Sequence, residues 1–174
     1  MIDNVIKLLF RSMLQPHDAF CIYLFMIDFA GQFVQTVYLP AQPPQPLSYV
    51  PGIRYNNTSP IATPAHRDQL YAEWRPFWDV TRPILLEKSP RHMLMTLLLQ
   101  YWFGPEHTAF IGILRHPLAQ TRMQWWRSGR QPGCVENGIR HWLELQETMV
   151  QDMRQLRHRV VVHFERLAQG NTER

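Results

Sequence analysis

Cysteine is nearly missing from this chain: 174 residues hold two, Cys21 and Cys134. One pair cannot build a disulfide framework or a thiolate metal site. Lysine is as rare, with Lys7 and Lys88 the only two, so the positive charge is carried by arginine. Glycine is scattered over eight positions, and none lies in a phosphate-cradling loop ahead of Lys-Ser or Lys-Thr, which leaves no Walker pattern. Long apolar runs are missing too. Phe20–Ile27 is far too short to cross a bilayer, and Met1–Leu14 lacks a signal-peptide cleavage pattern. No membrane segment is visible. The eight histidines show no ligand-spaced pair with a supporting third group, so no metal site is expected.

What is present suits one domain: 45% of the residues are apolar, enough to build a core. The net charge of +4 is unevenly placed. Residues 1–87 carry 6 basic and 7 acidic side chains, and residues 88–174 carry 12 and 7. The positive second half suits an anionic small molecule, a phosphorylated or sulfated partner, or a plain solvated surface. The arginines are dispersed and no nucleic-acid motif accompanies them, so no nucleic-acid partner is expected.

Residues 1–30 give no readable pattern beyond a helical stretch at Val5–Leu14 and the apolar run near Cys21. Residues 39–64 are proline-rich and read as an extended loop. They include two overlapping glycosylation sequons, beginning at Asn56 and Asn57. From residue 65 the pattern is regular. "HRDQLYAEWRPFWDV" predicts a helix kinked at Pro76. "PILLEKSP" predicts a short strand stopped by Pro90, and "RHMLMTLLLQYWF" a buried helix ended by Gly104-Pro105. "TAFIGILR" predicts a second strand, with a helix opening at Pro117. Arg140–Arg157 predicts an amphipathic helix with Trp142, Leu145, Met149, Met153 and Leu156 inward, and "RVVVHFERL" a third strand. This order predicts an α/β fold, a parallel sheet flanked by helices on both faces. Ligands of such sheets bind beyond the strands' carboxyl ends. There the sequence places Glu87-Lys88, Arg115 and Glu165-Arg166.

"LLEKSP", "FIGILRHPLA" and "VVVHFERL", in this order and spacing, resemble the sulfotransferases that use 3′-phosphoadenosine 5′-phosphosulfate (PAPS). "GQFVQTVY" (Gly31–Tyr38) is similar to the segment preceding them in some members, so the resemblance spans roughly residues 30–168. It implies a P-loop NTPase-like sulfotransferase fold and transfer of a sulfuryl group from PAPS to a hydroxyl or amine acceptor of carbohydrate type. In that family the arginine after the second strand binds the cofactor's 3′-phosphate, a role that falls on Arg115. A guanidinium is permanently charged and offers a planar fork of donors to phosphate. The resemblance assigns Glu87 as the base that takes the acceptor's proton and Lys88 as the contact to the sulfuryl group. Each has a plainer reading: Arg115 as a surface ion pair, Glu87-Lys88 as an exposed strand end. The tryptophans at 74, 78, 102, 125 and 126 read as core, although Trp125 or Trp126 would suit an adenine pocket.

The chain departs from the family in two ways. The glycine- and serine-bearing loop that wraps the 5′-phosphosulfate does not occur before Gly31. The serine eight positions after the phosphate arginine is replaced by Met123, which cannot donate, leaving Thr121 or Ser128 as substitutes. The expectation is therefore an incomplete sulfotransferase: residues 1–30 unassigned, 31–168 a partial domain and 169–174 a tail. Its site would be Glu87 and Lys88 for chemistry, with Arg115 and Thr121 for the cofactor. A catalytically incomplete fragment that keeps only the fold and 3′-phosphate binding is the alternative. Residues 18–27 would have to supply a substitute first strand. Acceptor, oligomeric state and compartment (Golgi lumen or cytoplasm) stay open.

Overall fold

The computed structural model describes residues 34–38, 54–82, 84–119, 121–122 and 133–169. Thr63 caps the first helix, α1 (Pro64–Trp74), its hydroxyl accepting from the His66 N–H at 3.2 Å. Proline at the first helical position costs nothing there, because that N–H has no partner within a helix. Pro76 lacks the N–H that would continue the ladder, so the α-helix stops at Trp74 and a 3-10 turn, Arg75–Phe77, replaces the expected kink.

The expected helix after "EKSP" is divided. A 3-10 turn, Pro90–Leu94, precedes α2 (Thr96–Phe103), with Met95 out of helical geometry between them. The cause is a diverted carbonyl: Leu94 C=O accepts from the Tyr55 N–H at 2.8 Å. Gly104 closes α2 at φ 86°, a backbone setting that side chains with a Cβ rarely adopt. "PILLEKSP" does not become a strand. Residues 84–89 belong to no strand of the described sheet, and Ile84, Leu85 and Leu86 are exposed. Apolar β-formers alone do not make a strand; a hydrogen-bonded neighbour does. The region 18–27 expected to supply one lies outside the described residues.

The structure is mixed α/β. β1 (Ala109–Leu114) and β2 (His158–His163) form a two-stranded parallel sheet, paired from Ala109↔His158 to Leu114↔His163. The connection between them contains α3 (Cys134–Met153), which begins six residues before the expected start and is preceded by Gly133 with φ 79°. "RVVVHFERL" is a strand only to His163; Phe164–Ala168 turns into a short helix, α4, so Glu165 and Arg166 are helical.

α3 lies against β1 through Met149 and Met153, and a Cβ at Gly112 would meet their side-chain ends at 3.0 and 2.8 Å. Glycine thus sets how closely helix and strand approach. A helix covering both faces was expected; on the opposite face, which carries Ile111 and Ile113, Ile113 is 44% exposed. One apolar cluster joins Tyr38, Leu70, Trp74, Met95, Leu98 and Trp102, and a second joins Met149, Met153 and Leu156. Phe110 packs on both. Trp142, expected inward, is only partly buried and turns its indole N–H to the Arg115 carbonyl at 3.1 Å.

Asp152, 1% exposed at the end of α3, pairs with Arg54 and accepts from the Thr96 hydroxyl at 2.6 Å. Its backbone carbonyl also takes the Gln155 and Leu156 N–H groups that turn the chain toward β2. Asp152→Ala is expected to destabilise the chain by about 2–3 kcal/mol in chemical denaturation. The value lies at the low end for a broken buried pair because Arg54, left behind, reaches water. A loss under about 0.5 kcal/mol would rule this clamp out.

Candidate functional site

Two groups of side chains stand at the positions singled out from sequence. The first is built on the turn from "EKSP" into the 3-10 helix. Ser89 has extended backbone and Pro90 starts the turn, so the chain doubles back and His92 returns toward Glu87. The Glu87 carboxylate is held from two sides. The Ser89 hydroxyl donates to Oε1 at 2.6 Å, and His92 Nδ1 lies 2.6 Å from Oε2. On the far side of the imidazole, Nε2 is 3.3 Å from the Tyr38 hydroxyl. Tyr38 is itself fixed by Gln35, whose amide oxygen accepts from the Tyr38 N–H and whose amide donates to the Tyr38 carbonyl. Trp74 packs against the imidazole with ring centroids 5.6 Å apart.

Burial pushes the His92 pKa down to about 3, with the Lys88 ammonium adding to the effect. His92 is therefore neutral near pH 7. Burial, followed by the Glu87 charge, raises the Tyr38 pKa well above the usual phenol range, so this hydroxyl keeps its proton. Lys88 reaches solvent at the lip of the group. Surrounding protein atoms desolvate its ammonium and lower its pKa, and Glu87 opposes that shift. The result is a carboxylate of fixed orientation beside an ammonium: one group able to accept a proton, the other to meet developing negative charge.

The second group lies at the carboxyl ends of the sheet. The parallel register that ends at Leu114↔His163 brings the next residues, Arg115 and Phe164, side by side. The Arg115 guanidinium carbon sits 4.8 Å from the Phe164 ring centroid. Its backbone is pinned on both sides: Trp142 binds the Arg115 carbonyl, and the His116 N–H donates to Glu165 Oε1 at 2.8 Å. That bond is the largest cause lowering the Glu165 pKa. Among the described residues no carboxylate forms an ion pair with Arg115, and its Nε is buried without a hydrogen-bond partner. Among the described residues, the plainer reading, a surface ion pair, has no carboxylate within ion-pair distance of this arginine.

Thr121 does not present a donor. It is 2% exposed, and its single O–H is directed at the Pro117 carbonyl, 2.9 Å away, with the Leu118 carbonyl at 3.3 Å. Helical back-bonding of this kind uses up the hydroxyl proton a phosphate would need. His116 turns Nδ1 to accept from the Leu118 N–H at 3.3 Å. Met123, Trp125, Trp126 and Ser128 lie outside the described residues. Among the described residues no three His, Cys, Asp or Glu side chains are grouped to hold a metal, and no helix is long and apolar enough to cross a membrane.

Sequence reasoning had missed His92, Tyr38 and Phe164. Tyr38 and His92 are 54 residues apart, and no local pattern announces such a pair. Phe164 could have been found from the strand register, had the end of β2 been known.

The His92 shift has a consequence for stability. Its folded pKa, about 3, lies below the ordinary 6.5, so between these values the unfolded chain binds the extra proton. The contribution is whole above pH 6.5 and is lost as pH falls toward 3. Denaturant midpoints measured from pH 7.5 to 4 should decline for the wild type and decline less for His92→Asn. Equal slopes would remove His92 as the cause.

No family model, no curated protein and no solved structure matches this chain. The functional reading therefore rests on residues and geometry.

Proposed function

We propose that this chain is a sulfotransferase-type protein that moves a sulfuryl group from PAPS to a hydroxyl or amine acceptor of carbohydrate type, on a P-loop NTPase-like sulfotransferase fold. The observation that carries the reading is Arg115. It is a guanidinium at the carboxyl tip of a parallel strand, pinned through its backbone, braced on an aromatic ring and engaged by no carboxylate among the described residues. A cation in no ion pair among the described residues, with the nearby Glu165 carboxylate bonded to the His116 N–H, suits an anionic ligand, and a guanidinium suits phosphate in particular.

The chemistry would fall to Glu87 and Lys88. An acceptor hydroxyl or amine attacks the sulfur of the phosphosulfate while the Glu87 carboxylate takes its proton. The bond from sulfur to the bridging oxygen breaks, and adenosine 3′,5′-bisphosphate leaves with the bonding pair. Lys88, with its pKa lowered by desolvation, would sit against the charge that builds on the transferred group. Thr121 is not part of this proposal, because its hydroxyl proton is engaged within its own helical turn. A second reading, a chain that keeps nucleotide 3′-phosphate binding without turnover, is favoured by the lack of a glycine loop around the 5′-phosphosulfate.

Calorimetry with adenosine 3′,5′-bisphosphate tests the binding claim. Wild-type chain should bind, and Arg115→Ala should weaken binding by roughly 10- to 100-fold, the loss of about 1.5–3 kcal/mol of charge-assisted hydrogen bonding. Wild-type chain that does not bind overturns the proposal. Transfer of labelled sulfate to a glycan panel separates the two readings. Glu87→Gln should lower turnover by about 10²–10⁴ while leaving nucleotide affinity in place, whereas binding without any transfer selects the second reading.

A further inference from the structure

We infer that Glu165 sets the affinity of the anion site at Arg115: its carboxylate holds the backbone donor next to the guanidinium and repels an arriving anion, so a ligand must bring contacts beyond a single phosphate. The inference deepens the reading of Arg115 as the phosphate contact and rests on it. The placement comes from the sheet. The register that ends at Leu114↔His163 sets Arg115 beside Phe164 and, one residue on, His116 beside Glu165. Each of these pairs is joined. The Arg115 guanidinium carbon lies 4.8 Å from the Phe164 ring centroid, and the His116 N–H donates to Glu165 Oε1 at 2.8 Å. A guanidinium and a backbone N–H are both donors that suit a phosphate oxygen. Here they stand on consecutive residues, and the chain's own carboxylate has taken the second.

Glu165 does not take the first. Among the described residues no ion pair joins it to Arg115, and Arg115 Nε is buried without a hydrogen-bond partner. The two charges are still close enough to act on each other. The His116 N–H and then the Glu165 N–H lower the Glu165 pKa, and the His116 imidazole and Arg115 guanidinium add to this through space. The carboxyl is therefore ionised near pH 7. The cation keeps its donors open while an anion stands at its side. An arriving phosphate meets like charge, and to reach the His116 N–H it must displace the carboxylate. Inorganic phosphate has only its own oxygens to set against this. A nucleotide bisphosphate also brings a base, a ribose and a second phosphate, whose contacts elsewhere offset the same cost. Had Glu165 closed on Arg115, an ion pair would shut the site. Without Glu165, the guanidinium would attract small and large anions alike.

The test is calorimetry on the full chain with two probes, inorganic phosphate and adenosine 3′,5′-bisphosphate. Glu165→Gln removes the charge and keeps a carbonyl that can accept from the His116 N–H; Glu165→Ala removes both. At low salt both variants should bind each probe about 3- to 10-fold more tightly than wild type, and the gain should shrink as salt is raised. Adding Arg115→Ala to Glu165→Gln should abolish the gain. Affinity that is unchanged or weaker in Glu165→Gln overturns the inference, as does a gain that survives Arg115→Ala. Glu165→Ala weakened beside an unchanged Glu165→Gln would leave Glu165 a mere tie between the strand tip and α4. A second measurement needs no variant: in ¹H–¹⁵N spectra of the wild type, the His116 N–H resonance should move as the bisphosphate binds. A resonance that stays put at saturation overturns the inference even if the variants fail to fold. If wild type and Glu165→Gln bind the bisphosphate equally, the inference fails and the reading of Arg115 stands. If only Glu165→Gln binds it, through Arg115, the inference stands and the transferase reading of the wild type fails. Binding of neither probe by any of these proteins removes both.

Discussion

A buried carboxylate organises this molecule from a distance. Asp152 lies at the end of α3, where its carboxylate takes Arg54 from the segment before α1 and the Thr96 hydroxyl from the first turn of α2, while its backbone carbonyl accepts two N–H groups from the turn into β2. Removing a charge from water is costly, and it is tolerated only when donors replace the lost hydration. The carboxylate's two donors come from separate stretches of chain, so meeting that cost ties both to the end of α3. Tyr55, one residue from Arg54, then binds Leu94 and breaks the helix there. The 3-10 turn just before it, opened by Pro90, returns His92 toward Glu87.

Two electrostatic strategies operate in the described residues. Around Glu87 the protein surrounds an anion with donors and keeps the adjacent imidazole neutral. Around Arg115 it leaves a cation in no ion pair among the described residues, with Glu165 acting only through space, and steadies it by backbone bonds and an aromatic face. The first arrangement favours proton acceptance, the second anion capture. Glu165 lies close to the second group, but its carboxylate is drawn to the His116 N–H. One hydrogen bond thus keeps an acidic side chain occupied next to an arginine that would otherwise attract it.

Much of the fold was legible in the sequence where the physics is local. Gly104 after "YWF" and the three- and four-residue spacing of Leu145, Met149 and Met153 each act within a turn or two, and each gave an element close to its expected place. Legibility failed where the outcome depends on a distant partner. "PILLEKSP" has strand composition and no ladder among the described residues. "RHMLMTLLLQYWF" has helical composition and is cut by a carbonyl turned toward Tyr55. Thr121 had the right chemistry for a phosphate ligand, and its hydroxyl is claimed by the carbonyl one turn earlier.

By itself, the sequence determined which chemistries were possible: few thiols, no Walker loop, an arginine at a strand tip and a carboxylate–ammonium pair on an extended segment. These follow from residue identity and short-range spacing, which folding does not alter. Tertiary structure decided which of those groups are usable. Neutral His92 beside Glu87, Tyr38 against its imidazole, Phe164 beneath Arg115 and the occupied hydroxyl of Thr121 all arise from burial and from contacts that only the folded chain creates. Protonation state and hydrogen-bond direction depend on the surrounding dielectric and on neighbours brought from far along the chain.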